Sequence, residues 1–283
     1  MIVDPLAPLL DLTGVRDAVD RARAACEELR WHEAFRRRWR EVRAEADLRA
    51  ARASAAVDGA PVPLSAVRAL ATGSGADADD GALRLAGGSL RATVLAGTWR
   101  PDLGGPSAAT LPPLGHVMAR LHAAVGAGWL PDEDLGRVRG AGVAPRDLGG
   151  LGPAPDGGEV AERLALLTRT VTATRAPGLV VAAVVHGELL ALRPFAAGNG
   201  VVARATARLL LTTRGLDPTG AVVPEAAWEA GLQPYLAAAA RFATGEPDGV
   251  AAWLAGCADA VVRGATEGRA VADAVLAGRL GPT

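Results

Sequence analysis

The sequence predicts a mainly α-helical protein, and three features point that way. Half of the residues are hydrophobic, dominated by Ala, Val and Leu, and only 4% are aromatic, a composition that suits packed helices better than a β-sandwich. Apolar residues recur at spacings of three and four through most of the chain, the period of a helix that buries one stripe. Clusters of Gly and Pro fall between such stretches, where chain breakers belong. With 283 residues the chain is long enough for one large core or two small ones.

Taken in order, Val15, Ala18, Val19, Ala22, Cys26 and Leu29 predict a first helix, with Thr13 as its cap. Trp31, Phe35, Trp39, Val42 and Ala46 continue the period into a second helix, which runs through Ser54 until Gly59 and Pro61 stop it. Residues 72–88 are rich in Gly, Ala and Asp and read as a loop. Residues 91–99, with β-branched Thr93, Val94 and Thr98, are the strand or hairpin candidate. Pro112 and Pro113 open a helix carrying Val117, Met118, Leu121 and Val125. Residues 131–158 read as a long surface loop, and helices follow over about 159–174, 178–192, 200–214, 224–240 and 248–280.

Charge and special residues exclude several functions. All 30 basic residues are Arg and they nearly balance 31 acids, so no net field draws nucleic acid or a membrane. Arg36, Arg37, Arg38 and Arg40 read as the solvated face of a helix. The start carries Asp4 and Asp11 without a basic leader region, and no apolar run approaches ~20 residues; a soluble, cytoplasmic protein is expected. Cys26 and Cys257 lie on apolar helix faces as core residues. His32, His116 and His122 lack the spacing of a metal pair and read as structural, so no metal site is expected from them. The glycines at 149, 150 and 152 neither follow a strand nor open a helix.

The stretch that carries chemistry is Arg193-Pro194-Phe195-Ala196-Ala197-Gly198-Asn199-Gly200-Val201-Val202-Ala203-Arg204. Pro194 ends one helix, Gly198 and Gly200 permit turns closed to other residues, and Asn199 can cap the next helix. The expected result is a loop that exposes backbone N–H groups at a helix start, a site for phosphate to which Arg204 adds a forked cation. A plain helix–loop–helix joint with Arg204 on the surface fits the same residues.

In this setting Fic (Fido) proteins carry His-Pro-Phe-x-Asp/Glu-Gly-Asn-Gly-Arg-x-x-Arg, and Pro194, Phe195, Gly198, Asn199, Gly200 and Arg204 match it in register. The chain therefore resembles that family, whose members transfer AMP from ATP to protein hydroxyls. The run from His186 to Leu192 resembles the family's helix into the motif, and residues 232–253, with Tyr235, its closing helices. Residues 91–113 resemble its β-hairpin flap, which holds the target beside the motif. Ser54-Ala55-Ala56-Val57-Asp58-Gly59 resembles the inhibitory helix of self-restrained members. In those, an acid pairs with the last motif arginine and blocks the γ-phosphate. The resemblance implies a Fic helical core over residues 61–283, preceded by a helical arm over 1–60 that bears Ser54 and Asp58. Asp58 as the cap of the turn at Gly59 is an equal reading.

Three positions depart from the family. Arg193 replaces the histidine that serves as general base, and a guanidinium stays protonated at physiological pH. Ala197 replaces the acid that holds Mg²⁺, and Val201 replaces the first motif arginine. His186 lies seven residues before Arg193, ~10 Å back along the helix, and reads as a packed or hydrogen-bonded core residue. Two functions stand: a weak or inactive AMP transferase with its nucleotide loop retained, or a catalytically silent regulator that binds a nucleotide or a protein. The implied ligand is ATP, with Mg²⁺ lacking its usual ligand. The implied partners are a protein target or an antitoxin-like protein, with a homodimer as a further possibility.

Overall fold

The computed structural model describes residues 4–74, 80–105, 111–146 and 148–280. Among them are eleven α-helices and no strand: α1 (Val15–Arg30), α2 (Trp39–Val57), α3 (Leu64–Ala71), α4 (Gly81–Gly97), α5 (Leu114–Gly126), α6 (Gly157–Ala173), α7 (Gly178–Leu192), α8 (Asn199–Thr213), α9 (Pro224–Ala230), α10 (Leu232–Phe242) and α11 (Pro247–Leu276). Short 3-10 turns cover Ala7–Asp11, Glu33–Arg36 and Asp132–Asp134. No helix among the described residues is long and apolar enough to cross a membrane.

The centre is α7. Apart from the partly exposed Glu188, every residue from Leu179 to Leu192 is buried, as expected for a helix that is apolar on all sides. It pairs with α8, while α10 and α11 pack on its other faces. α2, α4 and α5 cover α8, and α1 lies along α11. One hydrophobic cluster includes Ala22, Val42, Ala50 and Val57 together with Leu190, Val202 and Val261, so the expected arm over residues 1–60 packs its apolar face into the same cluster as the helices that follow. Cys26 and Cys257 are both buried in it.

α2 is fastened to this core by charge as well as by apolar contact. The Asp47 carboxylate receives Arg100 from the end of α4 and Arg208 from α8, the latter at 2.5 Å. Arg43 donates to the carbonyls of Thr219, Pro218 and Pro101 at 2.9–3.2 Å, and Arg52 pairs with Glu229 on α9. Buried ions cost free energy unless each is paired and hydrogen-bonded, so these partners fix how α2 lies.

The structure corrects the strand or hairpin expected at residues 91–99: residues 91–97 are the second half of α4, and Thr98 is its C-cap. Its few β-branched residues are outweighed by a helical stripe, with Ala86, Leu90, Thr93 and Ala96 all buried. Thr93 satisfies its hydroxyl on the Ser89 carbonyl at 2.9 Å, and Asp80 caps the helix by accepting from the Ala82 and Leu83 N–H groups. The loop expected over 72–88 is likewise helix from Gly81 onward, while residues 75–79 of it and 106–110 of the expected flap lie outside the described residues.

Smaller corrections have local causes. The cap of α1 is Gly14 in the left-handed region, with no side-chain bond, rather than Thr13. Trp31 and Phe35 do not belong to α2. Trp31 ends α1 and is exposed, and the chain restarts in a 3-10 turn that His32 caps through Nδ1. The helix expected over 224–240 breaks at Gly231 into α9 and α10.

Gly87 and Gly88, which suggested a loop, are helical because α4 crosses α5 closely: a Cβ on Gly88 would stand 2.4 Å from the Val125 carbonyl oxygen. Gly→Ala inside an open helix stabilises by about 0.5–1 kcal/mol, and that sign should reverse here. We expect Gly88→Ala to destabilise by about 1–3 kcal/mol. Gly256→Ala on α11, where a Cβ meets nothing within 4 Å, should stabilise modestly. Urea unfolding of both variants checks the contrast.

Candidate functional site

The motif loop joins the two most buried helices, and its own residues are buried from Arg193 to Gly200. Arg193 closes α7 at φ 43°, ψ 66°, a conformation that costs a non-glycine residue about 1–2 kcal/mol. It is held there from both ends. Its N–H donates to the Leu189 carbonyl at 2.9 Å, and its guanidinium donates to the Gly152 carbonyl at 2.8 Å. Gly198, at φ 79°, is the N-cap of α8, so the expected capping role of Asn199 is corrected. Asn199 is the first helical residue, and it clasps Phe195 instead. The Phe195 N–H donates to its Oδ1 at 2.8 Å, and its Nδ2 donates to the Phe195 carbonyl at 2.9 Å. This is the chain's only asparagine, and an amide is the side chain that can both accept and donate across one turn.

Among the described residues, the chain that covers the loop is 139–146 and 148–155; the resemblance implied a flap at 91–113, of which 91–97 belong to α4 and 106–110 lie outside the described residues. The Arg139 N–H donates to the Pro194 carbonyl and the Arg146 N–H to the Ala196 carbonyl, each at 2.9 Å. The Arg139 guanidinium donates to the carbonyls of Arg193 (2.8 Å), Leu192 (3.1 Å), Pro155 (2.5 Å) and Val143 (2.7 Å). A cation at the carbonyl end of α7 is favourable in itself. Arg139 gave no sign of this in a Pro- and Gly-rich stretch.

His122 on α5 supplies the other wall. Its ring stacks on Phe195 with centroids 4.0 Å apart and planes 5° from parallel. Nδ1 accepts the Gly136 N–H at 2.9 Å, so Nε2 carries the proton and donates to the Ala197 carbonyl at 3.0 Å. On this side the Phe195 ring and the carbonyls of Pro194, Ala196 and Ala197 are taken by α5 and by the covering chain, and the loop residues 193–200 are buried where the sequence reading expected them exposed.

The loop faces α2 at its Gly200 end. Arg204, one turn into α8, is fully buried, which excludes the surface arginine of the plain-joint reading. Its Nε donates to Ser54 Oγ at 2.9 Å, and its Nη2 to the Ser54 carbonyl at 2.9 Å and to Asp58 Oδ1 at 2.6 Å. Asp58 ends α2, and its carboxylate stands directly over Gly200: a Cβ there would lie 2.4 and 2.5 Å from the two oxygens. Burial pulls the Arg204 guanidinium down, but Asp58 and the Tyr235 hydroxyl more than offset it and hold the group above its ordinary value. Asp58 thus lies beside the amino end of α8, where a helix favours negative charge.

His186 is the core histidine expected: Nε2 meets the Tyr235 hydroxyl at 2.8 Å, with Trp228 and Trp253 around the ring. Of the remaining histidines, His116 is exposed, and His32 pairs with Asp273 at 3.0 Å. The structure therefore brings together Ser54, Asp58, Gly200 and Arg204 at one end of the loop and leaves Arg193 turned toward Gly152. Phe195 is a packing residue against His122.

Neither a protein-family model nor a curated protein sequence matches the chain. Solved structures do. A Fic family protein from Desulfovibrio desulfuricans superposes with a TM-score of 0.70 at 19% identity, over 89% of this chain and 74% of that one. A Fic domain containing signaling protein from Bacteroides thetaiotaomicron gives 0.64 at 12%, over 90% and 98%. Fic-1 from C. elegans gives 0.62 at 16%, over 96% and 75%. At these identities the likeness shows the fold: the chain folds as Fic proteins do.

Burial pushes the His122 imidazole down to about 4, with the Ala197 carbonyl and Asp134 opposing, so it is neutral in the folded protein at pH 7. The unfolded chain then binds more protons between about pH 6.5 and 4, and stability must fall as pH falls through that window. The contribution is on the order of 2–3 kcal/mol. His186, also pushed down by burial and next by Arg204, acts with the same sign. We expect the unfolding midpoint to drop on acidification from pH 7 to 4, and to drop less in His122→Gln; urea titrations at a series of pH values read this out.

Proposed function

We propose, on the basis of the Fic fold, that this chain is a catalytically silent Fic-fold protein whose own Asp58 occupies the phosphate position of the motif loop. It would act by binding rather than by transferring AMP. The observation that carries this reading is the Asp58 carboxylate over Gly200, bonded to Arg204 at 2.6 Å. An anion of the chain itself uses the cation and the helix end that a nucleotide phosphate would need.

The chemistry around it supports silence. A general base must accept a proton, and the residue at the base position is a guanidinium committed to the Gly152 carbonyl. Mg²⁺ asks for carboxylate or free carbonyl oxygen. Ala197 offers a methyl group, and its carbonyl already accepts from His122. Among the described residues no group of three or more His, Cys, Asp and Glu side chains could hold a metal ion. The residues present do not fit Mg²⁺. ATP fits better: with the Asp58 carboxylate removed, Arg204 and the glycines at 198 and 200 would be left to hold a phosphate. Removing that acid also strips a fully buried arginine of its counter-ion, which costs about 3–5 kcal/mol; a bound phosphate would offset part of it.

Calorimetric titration with ATP separates the readings. Asp58→Gly should bind at least about tenfold more tightly than wild type, and Arg204→Ala should not bind. A folded Asp58→Gly with unchanged affinity would show that Asp58 does not block the site. No binding by any of the three proteins would leave a partner protein as the ligand class. Incubation with labelled ATP and Mg²⁺ should leave wild type and lysate proteins unlabelled; labelling that Arg204→Ala abolishes would falsify silence. Arg193→His alone should stay inactive, whereas the combined change Arg193→His, Ala197→Asp and Val201→Arg supplies base, metal acid and phosphate contact together.

A further inference from the structure

A cavity of about 440 Å³ lies between α5, α6 and the second half of α8. Its α8 residues begin with Thr206, and Leu209 to Thr213 stand ten to fourteen residues from Asn199, roughly 15–20 Å along the helix from the motif loop. Leu114, Val117, Val171, Leu209 and Leu210, all buried, form its floor. The hydroxyls beside them are committed within their own helices. Thr206 donates to the Val202 carbonyl at 2.7 Å, Thr213 to Leu209 at 2.9 Å and Thr172 to Thr168 at 2.9 Å. What these threonines offer a ligand is largely their methyl groups.

One charge stands at the rim. Arg214 is exposed, and it donates to the carbonyls of Val171 (2.6 Å) and Thr174 (3.5 Å). It has no carboxylate within 4.0 Å among the described residues. A guanidinium has five N–H donors, so two carbonyls do not exhaust it. Leu114 opens α5 at the same rim, and that helix start has no side-chain cap, which adds partial positive charge. Ligand sites of this size combine an apolar body with one or two polar groups that set orientation.

We propose that this cavity is a second ligand site and that it takes a small amphipathic carboxylate, with the hydrocarbon on the Leu/Val floor and the carboxylate on Arg214. The inference does not depend on whether the motif loop binds ATP. Charge selects the class: a carboxylate gains a charge-assisted hydrogen bond from Arg214 that a neutral lipid cannot match, and a cation would be repelled by it.

Octanoate and 1-octanol are the probes, titrated into the full chain by calorimetry and by displacement of a fluorescent anilinonaphthalene sulfonate. Octanoate should bind saturably with one site per chain. Arg214→Gln should weaken it at least about tenfold while changing octanol less than about twofold. Thr172→Trp, at an exposed position on the rim, should block both probes without touching the core, so a folding defect in one variant does not decide the outcome. Absence of saturable octanoate binding to wild type overturns the proposal. So does octanoate binding that both variants leave unchanged, and so does an equal loss of both probes in Arg214→Gln.

Discussion

A fully buried arginine needs a buried anion, and much of the arrangement around the motif follows from that need. Arg204 points from α8 into a region with no access to water, where an uncompensated charge would cost several kcal/mol. The partner cannot come from α8 itself, whose neighbouring turns hold Val201, Ala203 and Ala207. It comes from the end of α2, where Ser54 supplies a hydroxyl and a carbonyl and Asp58 the charge. The end of α2 is thereby held against the start of α8, and the loop in between is closed on that side.

The same logic repeats one turn along α8. Arg208 reaches Asp47 in the first half of α2, and Arg100, three residues past the end of α4, joins them. Burial raises the Asp47 carboxyl, and Arg208 and then Arg100 outweigh this, holding it below the ordinary range. Two ionic contacts on one face of α2, at Asp47 and at Asp58, make the helix a fixed part of the core. The composition favours such a scheme: with no lysine in the chain, every cation is a planar fork able to bind carboxylates and carbonyls at once. Arg43, Arg139 and Arg208 each use that capacity on several backbone carbonyls, tying loops to helices.

Legibility in the sequence followed the strength of local signals. α7 and α8 were readable almost to the residue because an uninterrupted apolar run, a Pro and a Gly-Asn-Gly turn mark their ends. α4 is not legible in the sequence because Gly87 and Gly88 look like loop residues until α5 is known to cross them. The sequence points to Asn199 as the cap in place of Gly198, since it does not say that the amide is already committed to Phe195. The covering role of residues 139–146 and 148–155 has no periodic pattern to reveal it. Its interactions are backbone hydrogen bonds, which any loop sequence can make, and those of the Arg139 side chain, whose acceptors no local pattern marks.

By itself the sequence determined the helical class, the helix–loop–helix at 193–204, and the chemical identities at 193, 197 and 201, because residue type and short-range spacing suffice for those. Only the tertiary structure decided whether the loop is open or filled. That depends on Asp58 meeting Arg204 across a separation of 146 residues, and on Arg139, His122 and Arg146 converging on carbonyls that no local pattern marks. Local sequence sets what each segment can do; which groups meet is set by how the helices pack, and packing is a property of the whole chain.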